Sequence, residues 1–544
     1  MSSVFLSNVD DYLGPSQACV NPLFSNTDST TTITTPTPEG AVRTRKRRTV
    51  RERSDTTNTT NTPPTNAVVS ASIADCLACS GCVTTAETVL LEEKHSIEKL
   101  RQWIHQRVQT SVRKRFVVTI SPSSWADLMR HMNLQNSNLR TRQQQMTTFF
   151  HQYWAVDVVM DANVPLEWSR LAAAQSFVEA YRQQESQTNK ILLPQLASSC
   201  PATVCLIEKS IHAAIPHLSP IPSSMSCAGA YFQQQDAECF HLAVMPCHDK
   251  KLEASRTEFT NDQEEPFVDM SITTTECWQL MQEFCRRENA TTQQHITQIV
   301  EQLPLSAVYT SVQEWSAACS PPCLIAPRDC RSVSSNSTIA PNSTFFAESS
   351  GGYADFLFRY AARELFHTDI HDFSSLWQPF MELDETKQKQ SVVSARIASQ
   401  KRRREFLHAT LYYHPSSETY STALTPESRP VLRFAIANGM QTIQRALKPF
   451  QENALPPFDY MEIMACPSGC INGGGQIRTA LRETPTETRE RIWTSQSYFQ
   501  TPSSVVSTEI PLTAGQLRTQ YRIIPPMQHT MGAVAGIEMK DAIW

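Results

Sequence analysis

Met461-Glu-Ile-Met-Ala-Cys-Pro-Ser-Gly-Cys-Ile-Asn-Gly-Gly-Gly-Gln476 is the most specific stretch of the 544-residue chain. It continues a short apolar run, Tyr460 to Ala465, into a loop carrying Cys466 and Cys470 in a C-x3-C pair. Gly469 and Gly473 to Gly475 let this loop take positive φ and turn backbone N–H groups onto an anionic centre held by the two sulfurs. A bare glycine-rich turn is the competing reading. An apolar strand that ends in such a loop is the layout of a parallel sheet, where ligands sit at the carboxyl ends of strands.

The same layout recurs along the chain. Phe116-Val-Val-Thr-Ile120 ends in Ser121-Pro122 and precedes a helical stretch from Trp125 to Met132. Val156 to Met160 leads into the helical run Leu166 to Gln184. Leu242 to Met245 runs into Pro246-Cys247, and Val268 to Thr273 precedes helix-like Glu276 to Arg287. Short buried strands alternating with amphipathic helices predict an α/β fold with parallel sheets. Cys247 then stands, like Cys466, at a strand end.

Lys+Arg 48 against Asp+Glu 53 leaves a net charge of -5, which carries no electrostatic signature of nucleic-acid binding. No apolar run reaches the roughly 18 residues that span a bilayer, and Met1 to Asp11 lacks a signal-peptide pattern. A soluble intracellular protein is expected. In that setting the sequons at Asn336 and Asn342 have no consequence, and sixteen cysteines read as buried thiols or metal ligands rather than disulfides. From about Asn26 to Thr65 the chain is rich in Thr, Pro and Asn and reads as a disordered insertion. Within it, Arg43 to Arg53 is a basic run, either a solvated linker or a nuclear-import patch. A second polar insertion, about Ser320 to Ser349, follows Cys319 and carries Cys323 and Cys330; these three lack a nearby fourth partner.

Asp75-Cys-Leu-Ala-Cys-Ser-Gly-Cys82 places three thiols at two-residue gaps, so one tight loop can wrap three irons of a cubane. The bacterial ferredoxin run would continue to Cys-Pro, but Ala86 and Glu87 stand there. The fourth ligand must be distant, and Cys19 is the one cysteine upstream. Loop-closure entropy grows only logarithmically with length, so the intervening insertion is a small obstacle. Zinc is the competing metal, although its structural sites pair two C-x-x-C-type arms.

Ser198-Ser-Cys-Pro201, Met245-Pro-Cys-His-Asp-Lys250 and Glu462 to Gln476 resemble the three cysteine segments of the iron-only hydrogenase superfamily. The resemblance covers the chain from Ile73 onward apart from the two insertions. It implies a two-lobed α/β domain with parallel sheets flanked by helices, preceded by a small cluster-binding segment. The expected division is 1–110, 111–310 for the first lobe, 311–350 for the surface insertion, and 351–544 for the second lobe and tail. It also implies that Cys200, Cys247, Cys466 and Cys470 hold a second cubane, with Cys470 the bridge to a two-iron subcluster in true hydrogenases.

Three departures weigh against hydrogen chemistry. Ser199 replaces the proton-relay cysteine, and a hydroxyl is a poor relay near neutral pH. Thr203 and Ile477 stand where hydrogenases have Trp and Pro. These features resemble the nuclear prelamin A recognition factor-like family of cytosolic iron-sulfur assembly, as do Pro15-Ser-Gln-Ala-Cys19, Asp249 to Arg256 and Gly351 to Ala362. That family implies two [4Fe-4S] clusters and no hydrogenase activity. It implies a cytoplasmic protein, with the nucleus as a second location, linking a P-loop NTPase scaffold complex to a targeting complex built on a WD40 propeller, with no membrane and no nucleic-acid partner. The tail Ala542-Ile-Trp544 resembles the aromatic docking signal of the pathway, against a tail packed on its own domain. An iron-only hydrogenase and a zinc-stabilised interaction protein are the alternatives. The second cluster is expected to be buried and the first exposed. Lys250 and Lys251 are expected to offset cluster charge, and Cys205, Cys227, Cys239, Cys277 and Cys285 to be plain core residues.

Overall fold

The computed structural model describes residues 68–69, 91–109, 114–131, 139–184, 192–261, 263–288, 299–300, 303–304, 352–370, 376–380, 405–479, 510–513 and 516–524. Cys19, Cys76, Cys79, Cys82, both insertions, the basic run and Trp544 lie outside the described residues.

Along the chain the strands are Val68–Val69 (β1), Phe116–Ile120 (β2), Val158–Asp161 (β3), Gln195–Leu196 (β4), Phe240–Met245 (β5), Met270–Thr273 (β6), Gln378–Pro379 (β7), Phe406–His414 (β8), Thr419–Ser421 (β9), Arg429–Asn438 (β10), Tyr460–Met464 (β11) and Arg478–Thr479 (β12). The helices are Ile97–Gln109 (α1), Pro122–His131 (α2), Leu139–Trp154 (α3), Asn163–Gln184 (α4), Pro201–Ser210 (α5), Ser224–Gln235 (α6), Asp249–Ala254 (α7), Thr274–Glu288 (α8), Tyr353–Phe366 (α9) and Met440–Gln451 (α10).

Local chemistry sets several of these limits. Helix α2 starts before the expected Trp125 because Pro122 suits a first helical position and the Ser121 hydroxyl accepts from Ser124 N–H. Helix α8 opens with a capping box, in which Thr273 and Glu276 exchange side-chain and backbone hydrogen bonds at 2.7 and 3.2 Å.

The first sheet has the order β3-β2-β5-β6 and is parallel throughout. The second has the order β4-β11-β10-β8-β7, with β9 paired to β8. Its β4, β11 and β10 are parallel, whereas β10-β8, β8-β7 and β8-β9 are antiparallel. The parallel arrangement therefore covers the first sheet and the cysteine-bearing half of the second. The rest is antiparallel because short connections join β8, β9 and β10 directly, with no room for a crossover helix. Strand β4 lies in the 111–310 stretch yet adds to the second sheet, so the chain crosses between sheets before Cys200.

Alternation along the strands builds the layers. Phe116, Val118 and Ile120 pack outward with Trp125, Phe150, Trp154 and Trp278, while Val117 faces the opposite way. Helices α4, α6 and α9 fill the space between the sheets, where Phe177, Phe232 and Phe358 meet Ala243 from one sheet and Phe434, Ile436 and Tyr460 from the other. Val204, Ile207, Ile443 and Leu447 of α5 and α10 cover the far face of the second sheet. The order is helix, sheet, helix, sheet, helix. Cys205, Cys227, Cys239, Cys277 and Cys285 are buried in these layers, as expected.

Candidate metal centre

Three strand ends from the two sheets converge on one place. Strand β4 stops at Leu196, and Cys200 then forms the N-cap of α5 with Pro201 in its first turn. Strand β5 stops at Met245, two residues before Cys247. Strand β11 stops at Met464, two residues before Cys466. Cys200 packs with Ala202 and Met464, and Ala465 and Cys470 lie against that group. Ala465 N–H donates to the Cys200 Sγ at 3.4 Å, and Gly475 N–H donates to the Pro246 carbonyl at 2.8 Å. These contacts hold the first and second cysteine segments to the third.

The glycines of the third segment act differently from expectation. Among them only Gly469 has positive φ, at 82°; Gly473 sits at −59°. Gly473 and Gly475 are needed for close approach instead. A Cβ on Gly473 would lie 2.2 Å from the Pro246 carbonyl oxygen, and one on Gly475 would lie 2.6 Å from Thr273. Both glycines allow the loop to lie directly on the Cys247 turn.

Cys200 and Cys247 are each 8% exposed, whereas Cys466 and Cys470 are only partly buried. The site is thus more open than a centre sealed between lobes, because Cys466 and Cys470 flank the exposed Pro467 while the rest of the third segment is packed between the sheets.

Burial raises the Cys200 thiol, and N–H groups of Ala465 and Thr203 with the Thr203 hydroxyl oppose this. The same donors stabilise a thiolate once a metal replaces the proton. For Lys250, burial works against the charge, but the Glu253 carboxylate and the Cys247 and Cys470 sulfurs outweigh it and raise the ammonium. Its Nζ donates to Glu253 Oε2 at 2.5 Å, Ser223 Oγ at 2.7 Å and the Ser199 carbonyl at 3.2 Å. Lys251 Nζ pairs with Glu276 at 2.7 Å. Lys250 therefore ties the segment before Cys200 to the helix after Cys247, and Lys251 anchors that helix to α8. The expected role as counter-charges is correspondingly reduced, since each ammonium already has a carboxylate.

Sequence reading did not pick out Ser223, Ser226, Glu253, Asn438 or Glu462. Glu253 accepts from both serine hydroxyls and from Lys250. Glu462 Oε2 accepts from Ala354 N–H at 2.7 Å, in the first turn of α9. Burial pushes this carboxyl up to about 8. An acidic residue inside the apolar run Met461 to Ala465 was the available signal. For Asn438, the signal was Asn-Gly at the end of a strand pattern.

The residues present fit an iron-sulfur cubane. Four cysteines come from segments packed against one another, and the Ser199 hydroxyl, a potential donor to sulfur, is buried beside them without a hydrogen-bond partner. Among the described residues no three His, Cys, Asp or Glu side chains lie close enough to share one ion. A cubane does not require that, since each thiolate binds its own iron.

The family model for the iron only hydrogenase large subunit, C-terminal domain, matches residues 114–474. The cytosolic iron-sulfur assembly component 3 of Rattus norvegicus is 29% identical over 533 residues, 95% of this chain and 91% of the rat protein. The Bos taurus protein of that name is 30% identical over 75% of this chain and 72% of its own length. Among solved structures, the [FeFe]-hydrogenase HydA(deltaEFG) superposes with a TM-score of 0.53 at 16% identity, covering 78% of this chain and 98% of that one. Fold, cysteine segments and similarity agree: the chain belongs to the iron-only hydrogenase large-subunit family, in the group that includes cytosolic iron-sulfur assembly component 3.

Proposed function

We propose that this chain is a component of cytosolic iron-sulfur protein assembly that carries two [4Fe-4S] clusters and is not an enzyme. The observation that carries the reading is the pairing of full-length similarity to an assembly component with Ser199 beside the clustered cysteine segments. The scaffold for a cubane is kept, and the relay thiol for hydrogen chemistry is absent from its position.

Cys200, Cys247, Cys466 and Cys470 hold one cluster, and Cys19, Cys76, Cys79 and Cys82 the other. The clusters supply iron and sulfide for passage between assembly complexes. The chain's own residues orient the thiolates: α5 and Ala465 present Cys200, while the Gly473 contact holds Cys470 near Cys247. The partners are a P-loop NTPase scaffold complex and a targeting complex with a WD40 propeller, the latter engaged through Trp544. The site of action is the cytoplasm, and Arg43 to Arg53 leaves a nuclear pool open to test. No described helix is long and apolar enough to cross a membrane.

Anaerobic purification followed by iron and sulfide counting tests the proposal. About eight irons and eight sulfides per chain are expected; zinc without sulfide rejects it, and hydrogen release from reduced viologen restores the hydrogenase reading. Deleting Trp544 should weaken binding to the targeting complex with iron content intact. Unchanged binding rejects the docking role.

A further inference from the structure

Asn438 closes β10 and is completely buried, yet neither its Nδ2 nor its Oδ1 has a hydrogen-bond partner. Leaving such a group unpaired is costly, and native proteins keep few of them. A leucine of similar size would remove the cost. The position of the amide indicates what it is kept for.

Alternation along β10 decides which way it faces. Leu432, Phe434 and Ile436 turn into the layer between the sheets, while Ala435 and Ala437 turn to the far side. Asn438 continues the first series. Its register partner in parallel β11 is Met464, which packs on Cys200 and precedes Cys466 by two residues. Neighbouring strands lie about 4.8 Å apart, so the amide stands one strand spacing from the side chain that touches Cys200. Gly439 N–H donates to the Met464 carbonyl at 2.8 Å, and a Cβ on Gly439 would lie 3.6 Å from Pro467 Cα. The turn after Asn438 is therefore pressed against the Cys466 loop.

We propose that Asn438 is a positioning residue for the second cluster, its Nδ2 donating to a sulfide or thiolate sulfur there. This rests on the cluster reading above. Sulfur in a cubane only accepts hydrogen bonds, and donors to it stabilise the reduced, more negative state. The amide would thus hold the potential up and slow loss of iron. An apolar side chain at this position would fill the space but leave that sulfur without its donor.

Asn438→Thr and Asn438→Val differ by one hydroxyl at nearly equal shape, so any packing damage is common to both. In the full-length, anaerobically loaded protein, the Val variant should lose its chelator-resistant iron about tenfold faster than wild type. Its reduction potential should be lower, and the Thr variant should lie close to wild type in both. Equal rates and potentials for Thr and Val overturn the proposal. Wild-type protein lacking iron and sulfide would instead reject the underlying cluster reading, before any variant is compared.

Discussion

Glu462 shows how a single side chain links stability to pH. Its carboxyl is completely buried and raised from an ordinary value near 4.5 to about 8; burial is the main cause, with Asp355 adding to it and the Ala354 N–H and Arg170 opposing. A raised folded-state value means that the contribution to stability is fully present below about pH 4.5. It is lost as pH rises through about 8. At pH 7 the loss amounts to roughly 3 kcal/mol. Glu462→Gln keeps the acceptor for Ala354 and removes the titration. Thermal melts should show the variant several degrees more stable than wild type at pH 7.5, with the gap closing at pH 5. A gap independent of pH would mean that Glu462 does not titrate between pH 5 and 7.5.

At the scale of elements, the C-terminal strap depends on one buried ion pair. Arg256 bonds both oxygens of Glu208 at 2.9 and 2.7 Å, with the two side chains 5% and 0% exposed. Glu208 also receives Arg522 N–H, its carbonyl receives Ile524 N–H, and Tyr521 stacks over the Arg256 guanidinium. The pair thus pins residues 519–524 across α5, the helix that begins at Cys200. Breaking it from one side strands a charge in the interior, at about 3 to 5 kcal/mol. Arg256→Met should lower the urea midpoint accordingly, and adding Glu208→Gln should recover much of the loss. An additive double variant contradicts this coupling. A second element-level test concerns the loop contact: Gly473→Ala places a methyl 2.2 Å from the Pro246 oxygen. It should reduce iron content by about half, to about four per chain, while circular dichroism stays near wild type.

For the whole molecule, three cysteine segments from two sheets meet at one place; a cluster held there, as proposed, would tie them together, so its loss should be felt globally. Cys200→Ser should lower iron from about eight to about four per chain and depress the melting temperature by several degrees. Cys76→Ser should lower iron equally with little change in melting, because three of the four proposed ligands, Cys76, Cys79 and Cys82, are close in sequence. Equal shifts for both variants would reject that division. The sequence by itself determined the α/β class, the strands at Phe116–Ile120 and Tyr460–Met464, and the three cysteine segments. The class, the strands and the C-x3-C pair follow from local facts: apolar runs of strand length, proline and glycine punctuation, and cysteine spacing; the segments around Cys200 and Cys247 follow from the family resemblance. Only the tertiary structure decided that β4 joins the second sheet, that half of that sheet is antiparallel, and that Lys250 is held by Glu253. It also decided that Gly473 serves close approach rather than positive φ. The placing of β4 and the Gly473 contact depend on residues far apart in the chain, the Lys250–Glu253 pair on the burial of α7 against Ser223, and the burial of Asn438 and Glu462 on the same meeting of two sheets.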